Sequence, residues 1–206
     1  LGLSSGYARR PGDAGACNDY SCYTNYGGTA PAGFPQDVPN CLGDTAIHDD
    51  IALQVKVRAP TNATGYKFNF KFYSYEYPEW VCSDYNDQFV ALVNPAPQGA
   101  INGNISFDST NHPVSVNIAF FDVCQGCPLG ASQLVGTGFD LWGDAGGTGW
   151  LTTQTPVKGG DTFSIRFAIW DTGDQALDST TLIDDFRWLA TSGTVETVTL
   201  PTGPKG

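Results

Sequence analysis

The 206 residues contain no methionine, only ten lysines and arginines, only two histidines, and no apolar run near the ~20 residues needed to cross a bilayer. Each shortage removes a class of function. Phosphate binding needs clustered cationic side chains, and ten scattered ones against 21 acids, a formal charge of −11, argue against nucleic acid as a partner. Without a long apolar run there is no membrane span in this chain. With no initiator methionine and no visible signal peptide, the sequence reads as a processed chain or an excised segment, and a removed leader stays compatible with it. His48 and His112 stand alone in sequence, there is no G-x-S-x-G elbow, and "GDAGGTG" opens no helix, so nucleophilic and dinucleotide-binding chemistry have no recognisable carrier. A sustained 3.6-residue apolar period is missing too, which leaves little room for helices.

What is abundant is turn formers and strand formers. Twenty-five glycines and 13 prolines punctuate a chain that is 41% hydrophobic and 13% aromatic, enough to exclude disorder. "IALQVKVRA" alternates Ile51, Leu53, Val55 and Val57 with Ala52, Gln54, Lys56 and Arg58, the period of a half-buried strand. "YKFNFKFYSYEY" sets Tyr66, Phe68, Phe70 and Phe72 on one face, opposite Lys67, Asn69 and Lys71. "DQFVALVN", "GNISFD", "PVSVNIAFFDV", "TGWLTTQTPV", "DTFSIRFAIWDT" and "TTLIDDFRWLATS" follow as strands, separated by turn-rich linkers. "LGASQLVGTGFDLWGDA" is expected to hold one short helix or stay irregular. Around eight strands without intervening helices imply an all-β protein, an antiparallel jelly-roll-like β-sandwich, with a closed barrel as the alternative. Residues 1–45 read as an irregular Cys-containing segment packed on the core, 46–192 as the sandwich, and 193–206 as a C-terminal edge strand and tail that frays. "LPTG" near the end lacks the spacing and hydrophobic tail of a sortase signal.

The six cysteines, Cys17, Cys22, Cys41, Cys82, Cys124 and Cys127, are an even set in a Gly/Pro-rich acidic chain, which favours disulfides and an oxidising compartment. Of the 15 connectivities, proximity favours Cys17–Cys22 and Cys124–Cys127, leaving Cys41–Cys82. "CQGC" follows an apolar run rather than opening a helix and has no further Cys or His beside it. A structural bridge is therefore favoured over a redox motif or half a zinc site.

Carboxylates crowd in three places: "YEYPEWVCSDYNDQF" (Glu76, Glu79, Asp84, Asn86, Asp87), "IWDTGDQALDSTTLIDDFRW" (Asp171, Asp174, Asp178, Asp184, Asp185) and "HDD" (Asp49, Asp50). Calcium is the cation they suit, because it takes six to eight hard oxygen ligands and strand-end loops supply them. Neither EF-hand spacing nor the RTX nonapeptide occurs. The plain alternative is a solvated acidic surface that keeps the protein soluble. Glu76, Glu79 or Asp87 could instead form the acid/base pair of a glycoside hydrolase, although no pairing signature supports it. Trp80, Trp142 and the tyrosines of "CYTNYGG" are candidates for exposure and for stacking on sugars, whereas Trp170 and Trp188 sit in strand patterns and belong to the core. "NAT" at Asn62 and "NIS" at Asn104 are glycosylation sequons only in a eukaryote.

"FKFYSYEYPEWVCSDYNDQFVALV", the middle segments "GNISFD", "PVSVNIAFF" and "GTGW", and "FAIWDTGDQALDSTTLIDDFRW" resemble, in that order over roughly residues 44–190, the choice-of-anchor L family. Its first motif runs F-x-S-E-E-Y-x-E into x-N-D-x-F, and its second runs D-x-G-D-x-x-x-D-S before a D-N-F strand. The Cys-rich form is similar to versions from myxobacteria and related Gram-negative bacteria. The resemblance implies a secreted or cell-surface bacterial β-sandwich with no established enzymatic activity, attached by varied C-terminal anchors. No such anchor is recognised in this chain, which reads as a fragment or a released form. Glu76, Glu79, Asn86 and Asp87 fall on the first motif; Asp171, Asp174, Asp178 and Asp184 fall on the second. Asp185 stands where the family often has Asn, and Tyr75 replaces one carboxylate of Ser-Glu-Glu. Together these give an expectation of a non-enzymatic, calcium-stabilised extracellular module for adhesion or surface assembly, with the Glu79–Asp87 loop meeting the Asp171–Asp184 segment around one ion. Asp184 and Asp185 alternate on a strand, so at most one of them should face that site, and the resemblance favours Asp184. A surface glycan or protein is the expected partner. A calcium-dependent carbohydrate-binding domain, a carboxylate hydrolase and a filament subunit that self-assembles through its edge strands are the alternatives.

Overall fold

The computed structural model describes residues 1–200 apart from residues 11, 18, 25, 26, 119 and 192. Expectations that fall on Tyr26 and on the tail beyond residue 200 lie outside the described residues. Ten strands follow one another: β1 (Gly2–Ser4), β2 (Ile47–Arg58), β3 (Gly65–Ser74), β4 (Gln88–Asn94), β5 (Val114–Ser115), β6 (Gly146–Gly147), β7 (Leu151–Pro156), β8 (Thr162–Thr172), β9 (Ser179–Leu189) and β10 (Glu196–Thr199). One antiparallel sheet runs β1-β9-β3-β7-β10 with β6 also on β3; the other runs β2-β8-β4-β5. The long strands alternate between the two sheets as the chain advances, as in a jelly roll.

The core between the sheets is aromatic because the period-2 rule is obeyed where it matters. Phe68, Phe70 and Phe72 are fully buried on the inner face of β3, against Phe89 and Phe167 of the facing sheet. The outer faces are partly covered as well. A loop bridged by Cys124–Cys127 brings Val123, Leu134 and Phe139 onto Tyr73 and Tyr75, while Phe34 of the N-terminal segment packs on Trp170 and Val90. This second covering explains why Lys71, on the polar face of β3, is only 6% exposed: its ammonium reaches Gln133 and lies over the ring of Trp150.

All three bridges pair as proximity suggested, Cys17–Cys22, Cys41–Cys82 and Cys124–Cys127. Several strand expectations need correction. "GNISFD" makes only isolated bridges, because the Asn104 side chain takes the place of a ladder: its Oδ1 accepts from the Ala91 and Ser106 N–H groups at 2.9 and 3.0 Å. "PVSVNIAFF" keeps only Val114–Ser115 as strand and then turns. Residues 1–45 are not wholly irregular, since Gly2–Ser4 pairs with Thr180–Leu182 as an edge strand. On β2 the apolar face is covered only at Val55 and Val57; Ile51 and Leu53 stay exposed on an edge strand bulged between His48 and Ile51. The segment around "LGASQLVG" carries a single 3-10 turn, Ala131–Gln133.

Candidate functional site

The strand registers bring the carboxylates to one end of the sandwich. Ser74 pairs with Ser179 and Gln88 with Trp170, so the end of β3, the start of β4, the end of β8 and the start of β9 converge. Glu76 lies two residues after β3, Asp87 one before β4, Asp171 next to the end of β8 and Asp178 one before β9. All four are buried: Glu76 1%, Asp87 0%, Asp171 1% and Asp178 6% exposed.

Their satisfaction differs sharply. Asp87 is held as an acceptor: Thr172 N–H donates to Oδ1 at 3.0 Å and the Ser179 hydroxyl to Oδ2 at 2.5 Å. Asp178 receives the Cys22 N–H on both oxygens, at 2.9 and 3.1 Å, so it pins the N-terminal segment to the sheet. A Cβ added at Gly6 would overlap the Asp178 carboxylate, which is why the strand leaving β1 carries glycine there. Asp171 has no hydrogen bond to either oxygen, and Glu76 Oε2 has none. The Ser5 hydroxyl and the Asp87 carboxyl lie near enough to act on Asp171, but neither makes a well-formed hydrogen bond with it. No ion pair formed by the described residues includes any of the four.

An anion stripped of water with no cation opposite is strongly disfavoured, and protonation is the response available to the protein alone. Burial, reinforced by the charges of Asp87 and Asp171, pushes Glu76 up to about 12. Burial followed by Asp87 raises Asp171 well above the carboxylate range. Burial lifts Asp87 to about 7 against the opposing bonds from Ser179 and Thr172. It lifts Asp178 to about 7 against the Cys22 N–H. Among the described residues no group of three or more His, Cys, Asp or Glu side chains is placed so that it could hold a metal ion.

Of the residues expected to ligate a cation, the fold gathers Glu76, Asp87, Asp171 and Asp178. Asn86 is buried beside them, its Oδ1 taken by the Asn117 N–H at 3.2 Å. Asp174 is half-buried and caps its own turn by accepting from Ala176 N–H at 2.8 Å, with its charge acting on Glu76 and Asp87. Two residues are not gathered. Glu79 is exposed on the loop after β3 and its acidic neighbour is Asp144. Asp184 is exposed and registers with Asn69, five positions along β3 from the Ser74–Ser179 pair, about 17 Å away at ~3.4 Å per residue. The expected strict alternation of Asp184 and Asp185 does not hold either, because the β3–β9 register shifts there and Asp185 sits at φ 54°. Asp185 instead bonds Asn69 and Arg187. Sequence reasoning passed over Ser5, Ser179 and Thr172, which frame the carboxylates; a serine directly after the Asp178 motif position is a signal for one of them.

The hydrolase pairing has no geometry behind it. Glu76 and Asp87 are sealed from solvent while Glu79 is exposed elsewhere, so no two of them flank an open cleft. Asn104 is 1% exposed with its side chain committed to the backbone, so its sequon is not accessible as folded. Trp80, Trp142 and Tyr23 are exposed, Trp170 is core and Trp188 half-buried against it. Among the described residues no helix is long and apolar enough to cross a membrane.

Neither a curated protein nor a solved structure matches the chain. A family model described as the Choice-of-anchor L domain matches residues 3–186, from β1 into β9 and through every carboxylate discussed above. That match reaches back over the bridged N-terminal segment, which the motif resemblance from about residue 44 did not include. It points to a surface or extracellular, non-enzymatic module, in keeping with three disulfides. The chain belongs to the choice-of-anchor L family.

Proposed function

We propose that this protein is a calcium-stabilised, non-enzymatic module that acts outside the cell in adhesion or surface assembly. The observation that carries the calcium reading is the set of Glu76, Asp87 and Asp171, buried to within 1% and holding three side-chain oxygens without any partner. Calcium offers what protons offer such a set, neutralisation, while also using the spare lone pairs of all three side chains. Backbone carbonyls and water would complete the shell. The ion would draw the three carboxylates inward and, through Ser179, Ser5 and Asp178, fix the N-terminal segment on the sandwich.

The discriminating measurement is a thermal melt in calcium, in magnesium and in chelator, with the bridges oxidised. At a free calcium concentration 100-fold above the dissociation constant the gain is about 2.7 kcal/mol. For a chain of this length that corresponds to a midpoint raised by about 5–10 °C. Magnesium should give less, since it demands a tight octahedron and sheds water reluctantly. A midpoint indifferent to calcium would remove the cation and leave the protonated set. Adhesion or assembly is read separately, by binding of the purified chain to bacterial cells and by light scattering; neither signal at any calcium level would sink that half of the reading.

A further inference from the structure

A cavity of about 300 Å³ lies between residues 2–10, the bridged Cys17 and Cys22 with Asp19, the loop 136–141 and the outer face of β3 and β9. The cation reading touches it only at Asp178, which pins the N-terminal wall. Its floor is aromatic: Tyr73 stacks on Phe139 with centroids 5.4 Å apart, and Tyr75 leans on the same ring at 4.6 Å. Tyr7 stands at its rim, 52% exposed. Beside it, Tyr20 meets Tyr75 and Trp142 edge-on at 6.5 and 5.9 Å. Among the described residues Tyr7 is the exposed aromatic side chain that lines this cavity, and the exposed Tyr20 packs on its wall residue Tyr75. Charged groups of both signs line the wall: Asp178 is held by the Cys22 N–H and Arg10 by Asp13, which leaves the exposed Asp19 and Arg9, whose Nη1 donates to the Ala14 carbonyl, to meet a ligand.

That combination selects a ligand class. A free anion would meet the Asp19 carboxylate, and a quaternary ammonium would meet the Arg9 guanidinium. A hydrocarbon chain would leave Asp19 and Arg9 to be desolvated without recompense. A neutral polyhydroxylated ring suits all of it: its C–H face lies on an aromatic side chain, and its edge hydroxyls donate to carboxylates and accept from guanidinium N–H groups. The volume stands at the lower end of small-molecule pockets, ~300–1,000 Å³, which fits one ring rather than an extended chain. We propose that this cavity is a saccharide-binding site that takes one ring of a surface polysaccharide.

The test is saturation-transfer NMR on the oxidised chain in calcium buffer. The probes are the methyl glycosides of glucose, galactose, mannose and N-acetylglucosamine, with choline and inorganic phosphate as charged controls. At least one glycoside should receive saturation, and Tyr7→Ala and Asp19→Asn should each weaken its binding at least tenfold. Both positions are exposed, so the variants should keep the parent melting midpoint. The proposal is overturned if no glycoside binds, if both variants bind as well as the parent, or if choline or phosphate is the ligand that those variants lose. Calcium response and glycoside binding are separate readings, so failure of the cation site leaves this site standing and the reverse.

Discussion

The two ends of the sandwich bury polar atoms in opposite ways. At the end where β3 and β8 begin, Tyr66 stacks on Phe163 at 5.0 Å and on Phe186 at 5.3 Å, with Trp188 edge-on at 6.0 Å. Its hydroxyl is buried without a partner, and burial raises that phenol well above its ordinary value, so it stays neutral. At the other end, Glu76, Asp87, Asp171 and Asp178 occupy the equivalent strand termini. The first end is complete as a hydrocarbon assembly and tolerates one orphaned hydroxyl. The second is complete only with protons or a cation added. The stability of the first should therefore be indifferent to solution conditions, and that of the second governed by them.

The largest effect should come from breaking the aromatic end. Phe163→Ala deletes a ring that is 5% exposed and stacked on Tyr66, and should cost about 3–5 kcal/mol in urea unfolding. The loss should be equal in calcium and in chelator; a calcium-dependent loss would mean that the two ends are coupled.

A smaller effect is expected from pH. Without calcium, Asp87 and Asp178 take up protons in the folded state near pH 7 but in the unfolded chain only near pH 4. A folded value raised above the unfolded one gives stability that is complete below about pH 4 and is lost as pH rises through about 7. The chelated protein should therefore be more stable at pH 5 than at pH 8, on the order of 2–3 kcal/mol for one such group. Calcium bound at the proposed site would compete with those protons, so its presence should flatten the slope. A chelated protein that gains stability from pH 5 to 8 would show that the carboxylates are already neutralised by something else.

Next comes Asp171→Asn. It removes the carboxylate with no partner on either oxygen while keeping the shape of the side chain. In chelator at pH 8 the variant should be about 1–3 kcal/mol more stable than the parent, from relief of burial and of the Asp87 charge. In calcium it should gain little or nothing further. If the calcium response survives intact, the ion is held elsewhere.

How much of this was legible follows the same division. The aromatic half was written in period two: Phe68, Phe70 and Phe72 declare one face, and the structure buries all three. Even the Asp-rich motifs were visible as motifs. What the sequence could not carry is which member of each motif turns inward, because the carboxylates sit at strand ends, where parity stops applying. Glu76 lies beyond the last paired residue of β3, and Asp185 occupies a left-handed backbone position at a register shift that breaks the alternation of the two aspartates. Asn104 misled for a related reason, since a side chain that imitates a backbone acceptor is spelled no differently from one facing water.

The finest test asks whether an orphaned polar group really is harmless at the aromatic end. Tyr66→Phe removes only the hydroxyl, leaving the stacking on Phe163 and Phe186 in place. Since that oxygen has no partner to lose, its removal lifts a desolvation cost without creating a cavity of consequence. The variant should be as stable as the parent or up to ~1 kcal/mol more so, a midpoint rise of no more than ~4 °C. Because the phenol is neutral throughout the accessible range, the change should be the same at pH 5 and pH 8 and with or without calcium. A destabilisation would mean that the hydroxyl holds a buried water, and the aromatic end would then share the incompleteness of the acidic one.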